Sequence, residues 1–149
     1  MYSVIVGIGN PLFGDDAIGL EVVKKLKEKN KEKNVDIKLC TAGGLELAEI
    51  IADYDLAIIV DAVKGLNGVK EISIDDYKES VANHDISFPS AYRILSKYIK
   101  MPKVRIVGIG INNIEIKEEI SNETKEKIPV AIKFIKKMLE EENEFVGES

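Results

Sequence analysis

The side chains able to do chemistry fall at a few points in this chain. GIGNPLFGDDAIG, residues 7–19, follows a short apolar run and leads straight into a helix-period pattern. A strand, a glycine-rich turn and a helix entered through two carboxylates make a site at the edge of a sheet. One aspartate at a helix start is expected as an N-cap, accepting the free N–H groups of the first turn. Asp15 and Asp16 together are one more than capping requires, so the second is available to a metal, a proton or a basic group. A third carboxylate, Asp61, closes the apolar run LAIIVD at 56–61. His84 is the single histidine and sits in the polar stretch Ala82-Asn83-His84-Asp85. A lone loop histidine can equally be a bystander. With two carboxylates, however, its imidazole forms a plausible ligand set for a borderline divalent metal such as nickel or zinc. Three protein ligands would leave coordination positions open for reaction.

These residues need elements to place them. Residues 4–9 read as a strand and 16–30 as a helix, with Ile18, Val22, Val23 and Leu26 on one face and Lys24, Lys25, Lys27 and Glu28 on the other. A short strand is expected at 35–40, and Gly43-Gly44 opens a helix carrying Leu47, Ile50 and Ile51. The continuous apolar run 56–61 has the character of a central parallel strand buried on both faces. An edge strand at 69–74, a helix at 88–100 and a buried strand at 104–109 follow. Ser121 caps the last helical stretch, in which Pro129 marks the true start or a kink. Its apolar stripe is Ile128, Ile132, Ile135 and Leu139, and the polar tail 140–149 is expected to fray.

Strands alternating with helices predict an α/β fold: a three-layer, doubly wound, mostly parallel twisted sheet of about five strands, helices on both faces, one edge strand possible as antiparallel. Right-handed crossovers bring the carboxyl ends of the parallel strands to one rim, where such folds bind ligands. Asp16, Asp61 and His84 are thereby expected to converge. With 149 residues, 45% of them hydrophobic, residues 1–149 are expected to form one domain with a substantial core.

Composition narrows the function classes. No apolar run approaches the roughly 20 residues of a membrane span, and the start lacks a signal-peptide pattern. The single cysteine, Cys40, excludes an internal disulfide and a cysteine-cluster metal site, so a cytoplasmic location is expected. Cys40 itself reads as a strand-end residue rather than a nucleophile, since no base stands beside it. The net charge of −5, with lysines dispersed through helices, argues against a nucleic-acid partner. Abundant Lys and Glu without Gln or Trp hints at a thermophilic source.

Three competing readings are weaker. A dinucleotide site needs G-x-G-x-x-G, but Leu12 stands at the third glycine position, and no acid ends the second strand. The opening GIGNP is similar to that of peptidyl-tRNA hydrolases, which place a catalytic histidine about a dozen residues later; Ala17 to Leu20 occupy that stretch here. A non-enzymatic binding module on the same fold, recognising a basic partner through its rim carboxylates, is also compatible with the charge.

Taken together, GIGNPLFGDDAIG (7–19), TAGGLEL (41–47), IIVDAV (58–63), NHDISFP (83–89) and VRIVGIG (104–110) resemble the hydrogenase maturation endopeptidases, across nearly the whole chain and in the expected order. That family trims the C-terminus of the large-subunit precursor of nickel–iron hydrogenases. The resemblance implies that Asp16, Asp61 and His84 are both metal ligands and catalytic residues. It implies further that the nickel is supplied by the precursor, already held on cysteine thiolates, with no organic cofactor. The expected partner is that precursor, with no nucleic acid or membrane, and the expected state is a monomer. Two segments depart from the family pattern. Leu39-Cys40-Thr41 stands where many relatives have an aspartate and two glycines, and Gly108-Ile109-Gly110-Ile111 replaces a common GIQP. Both bear on the shape of the substrate groove rather than on the three ligands.

Overall fold

The computed structural model of the chain describes residues 1–81, 86–112 and 119–148, with side chains through residue 143. Five strands form one sheet: β1 (Ser3–Ile8), β2 (Val35–Cys40), β3 (Leu56–Lys64), β4 (Val69–Ile72) and β5 (Lys103–Ile111). Their order is β2-β1-β3-β5-β4; the first four are parallel, and β4 runs antiparallel at the edge. This is the mostly parallel, doubly wound sheet with one antiparallel edge strand that the alternation of elements predicts. β1 is buried along its whole length, as expected of a parallel strand covered on both faces.

Helices α1 (Ile18–Lys29) and α5 (Lys127–Glu148) cover one face, and α2 (Gly44–Ile51) and α3 (Phe88–Leu95) the other. On the first face Ile18, Val22, Val23 and Leu26 of α1 meet Ile128, Ile135 and Leu139 of α5 over Ile58, Val60 and Val107. On the second, Leu47, Ile51 and Phe88 pack over Val4, Val6, Ile59 and Ile106. Both helical stripes read from the sequence are therefore the faces that close the core.

Some boundaries differ from the sequence reading. The helix expected from residue 16 begins with a 3-10 turn, Gly14–Ala17, and becomes α-helical only at Ile18. β3 runs three residues past Asp61, so that carboxylate lies within the strand rather than at its end. Pairing with β5 through Lys64 and Ile111 extends both strands beyond the purely apolar run. The edge strand stops at Ile72 instead of 74, and α3 stops at Leu95 instead of 100. A short helix α4 (Asn122–Lys125) precedes α5, with Ser121 as its cap and Pro129 in the first turn of α5. The polar stretch expected to fray is helical through Glu148, and Glu142 is buried there against Arg105 and Lys103. Charge pairing, invisible to hydrophobic periodicity, carries the helix on.

Strand order reverses between β1 and β3, since the chain leaves β1 for β2 on one side and returns to β3 on the other. This is where open α/β sheets bind ligands. Gly7 and Gly19 let the start of α1 sit hard against the crevice. A Cβ on Gly19 would lie 2.4 Å from the carbonyl oxygens of both Ile8 and Val60, and one on Gly7 2.4 Å from the Gly19 carbonyl oxygen. Gly14, at φ +50°, turns the chain immediately before the two aspartates.

Candidate functional site

Asp61 faces α2 and α3 from β3. It lies one position beyond Val60, which pairs with Gly7 of β1, and on the same strand face as Ala57 and Ile59. It is fully buried. A buried carboxylate needs donors, and Asp61 has four. Oδ1 accepts from the Ala62 N–H at 2.8 Å and the Ser80 hydroxyl at 2.5 Å. Oδ2 accepts from the Tyr77 hydroxyl at 2.7 Å and the Ser80 N–H at 2.9 Å. Burial pushes the Asp61 pKa up to about 7, helped by the negative charge of Asp16, and the donors from Ser80 and Tyr77 only partly offset this. The Tyr77 phenol is driven well upward, by burial first and then by Asp61.

Asp16, in the 3-10 turn after β1, is 1% exposed. Its Oδ2 accepts from the Asn10 N–H at 3.2 Å, closing the glycine-rich turn. Its Oδ1 is buried and has no hydrogen-bond partner among the described residues. Burial raises its pKa; Ser80 and the Asn10 amide act against that. The Ser80 hydroxyl thus lies close enough to favour the charge of Asp16, while its close contact, at 2.5 Å, is with Asp61 Oδ1.

Asp15 and Asp16 separate completely in role. The expectation that Asp15 caps its own helix is not met, for neither the 3-10 turn nor α1 has a side-chain cap. Asp15 reaches across the molecule to the start of α4. Its Oδ1 accepts from the Ser121 N–H at 2.8 Å, and its Oδ2 from the hydroxyls of Ser121 at 2.9 Å and Thr124 at 2.8 Å. Burial works to raise its pKa, but these bonds and the Lys127 charge outweigh it and hold the group below the usual carboxylate value.

Residues 82–85, and with them His84, lie outside the described residues. The flanks of that segment are described. The Glu79 carboxylate accepts from the Phe88 N–H at 3.1 Å and from the Gly44 N–H at 2.9 Å, joining the first residues of α3 and α2. Cys40 is buried at the end of β2, its thiol 2.7 Å from the Ala42 carbonyl oxygen; burial, with the charges of Glu46 and Asp61, pushes that thiol up and makes it a poor nucleophile.

A groove of about 400 Å³ begins at Asp16 and runs along the ends of β3 and β5, past Val63, Lys64, Ile72 and Ile111 to Tyr77, Lys78, Glu79 and Ser80. Its lining is mainly apolar and includes two lysines, Lys64 and Lys78. Two buried carboxylates thus stand at the strand switch, and Asp16 also lines this groove. Sequence reasoning found both carboxylates but missed Tyr77, Ser80 and Glu79. The only available signal was indirect: an acid inside an apolar strand must draw donors from elsewhere.

The chain is similar to known proteins over most of its length. The family model described as HycI, hydrogenase maturation protease, matches residues 20–138. A protein of Methanocaldococcus jannaschii assigned as a hydrogenase maturation protease is 31% identical over 142 residues, covering 89% of this chain and 92% of its own. Among solved structures, the hydrogenase maturating endopeptidase HybD from Escherichia coli superimposes with a TM-score of 0.80 at 22% identity, covering 95% of this chain and 94% of that one. The [NiFe] hydrogenase maturation protease HycI from Thermococcus kodakarensis gives 0.73 at 27% identity, covering 93% and 92%. The second strand ends in Cys40 rather than in the acid a dinucleotide site needs. The extent of the family match, together with the identity to a full-length relative, decides the matter: this chain belongs to the hydrogenase maturation protease family.

Proposed function

We propose that the chain is the endopeptidase that removes the C-terminal extension of a nickel–iron hydrogenase large-subunit precursor, using the nickel already bound in that precursor. The observation that carries this is Asp16 Oδ1, a buried carboxylate oxygen with no partner among the described residues, on a residue lining the groove. Leaving such an oxygen unpaired costs on the order of 2 kcal/mol or more, a strain expected where a ligand completes the site. Asp16 and Asp61, with His84 as the third ligand, would grip the substrate's nickel and so register the scissile bond.

The nickel supplies Lewis acidity, polarising the scissile carbonyl or lowering the pKa of an attacking water. The chain supplies the rest. The apolar side chains of Val63, Ile72 and Ile111, which line the groove, would receive the peptide beside the cation. A carboxylate not engaged by the cation would take the proton from the attacking water and pass it to the departing amine. An unloaded precursor would offer no cation to the ligands and stay uncut. The test is to incubate the purified protein with nickel-loaded and nickel-free precursor and identify the released peptide by mass spectrometry. Release from the loaded form alone is expected; equal release from both would refute nickel dependence.

A further inference from the structure

The donors around Asp61 leave it no room for a cation. A carboxylate offers about four lone-pair directions, and the Ala62 N–H, Tyr77 hydroxyl, Ser80 N–H and Ser80 hydroxyl occupy them all. The Ala62 donor belongs to β3 and is fixed in place by the sheet. The other three come from the segment after the 3-10 turn Ile74–Asp76, which is not part of the sheet. Among them the Ser80 hydroxyl alone stands close to both carboxylates, bonded to Asp61 and near Asp16. A cation shared by the two carboxylates would have to displace it, while Asp16 Oδ1 is buried with no partner among the described residues.

We propose that Ser80 is a placeholder that closes the carboxylate pair to free divalent cations and withdraws only when a cation arrives fixed in a docked peptide. This rests on the reading of Asp16 and Asp61 as the cation-facing pair. A free hydrated ion meets no accessible carboxylate oxygen, since Asp16 Oδ1 is unpaired among the described residues but buried, and it must displace the Ser80 donors unaided. A docked peptide lies in the groove whose wall includes Tyr77, Lys78, Glu79 and Ser80. Its binding energy acts directly on the segment that must move, and only a ligand with different affinity for the two arrangements can shift them. Ser80 is therefore a positioning residue, selecting delivered metal over free metal.

The experiment is calorimetric titration of tag-free protein with NiCl₂, paired with processing of nickel-loaded precursor in added free Ni²⁺. Ser80→Ala is expected to bind Ni²⁺ about tenfold more tightly than wild type or better, the scale on which groups touching metal ligands alter affinity. Ser80→Gly, which also lacks the hydroxyl, should gain likewise, and Ser80→Thr should return to the wild-type value. Free Ni²⁺ should inhibit Ser80→Ala at concentrations that leave wild type unaffected. In the double variant with Asp16→Asn the gain should vanish. Nickel affinity in Ser80→Ala and Ser80→Gly equal to or weaker than wild type would overturn the proposal, as would a gain that survives Asp16→Asn. If Asp16→Asn and Asp61→Asn process precursor normally, the carboxylate reading itself fails; if both are inactive while Ser80→Ala gains no affinity, only the placeholder fails.

Discussion

Asp15→Ala separates the two adjacent aspartates most sharply. The Asp15 carboxylate ties the turn after β1 to the start of α4 across more than a hundred residues, through one backbone and two hydroxyl donors. Hydrogen bonds to an ionised acceptor are worth about 1.5–3 kcal/mol each when well shielded. Water can replace part of this at Asp15 and Ser121, which are partly exposed, and Thr124, 2% exposed, keeps a second contact to the Ser121 hydroxyl at 3.0 Å. About 1 kcal/mol per bond is then reasonable, a loss of about 3 kcal/mol in all. For a chain of this size each kcal/mol moves Tm by about 2–4 °C, so Asp15→Ala should melt about 6–12 °C lower. Asp15→Asn keeps one acceptor oxygen and should lose about a third of that. The pKa of Asp15 is lowered on folding, so its contribution is present above the unfolded value near 3.8 and lost as pH falls through the folded one. Wild type and Asp15→Ala should therefore differ most at neutral pH and converge in acid. The assay is calorimetric melting from pH 3 to 8 alongside precursor processing below the lower Tm. An unchanged Tm with processing abolished would show that Asp15, not Asp16, belongs to the site.

Three further outcomes are expected. Asp16→Asn should be at least as stable as wild type at pH 8, because it removes a buried charge. Since burial raises the folded pKa of Asp16, the charged form is penalised only above its unfolded value, and the advantage should shrink as urea titrations are moved toward pH 4. Glu79→Ala should destabilise by about 2–3 kcal/mol in urea, through loss of an ionised acceptor for the Gly44 and Phe88 amides, and those two amides should exchange hydrogen faster by NMR. Gly19→Ala forces a methyl against two backbone oxygens at 2.4 Å and should cost about 3 kcal/mol or fail to give soluble protein; wild-type melting would contradict the close packing of α1.

What the sequence disclosed follows from which forces are periodic. Helix stripes such as Ile18, Val22, Val23 and Leu26 and the apolar runs of β1 and β3 are set by burial, which repeats along the chain and can be read from it. The place of Asp16 and Asp61 at the strand switch followed from topology. Their surroundings did not. A rim position says nothing of enclosure, yet both are buried, and Asp61 is enclosed by four donors. Tyr77 and Ser80 carry no signature at their spacing, because a donor for a distant acid obeys no local period. The same holds for Asp15, whose partners lie 106 and 109 residues away. Glu142 was assigned to a polar tail for the same reason, its partners Arg105 and Lys103 being on β5.

The central claim is that a buried carboxylate at the strand switch engages the nickel of the substrate. Asp16→Asn tests it most directly, because the substitution preserves shape and removes only the anionic charge. The measurement is the single-turnover rate of cleavage of nickel-loaded precursor by the folded variant at pH 8. Loss of a ligand contribution of about 2.7 kcal/mol predicts cleavage about a hundredfold slower, with Tm undiminished. Cleavage at the wild-type rate by folded Asp16→Asn would contradict the account.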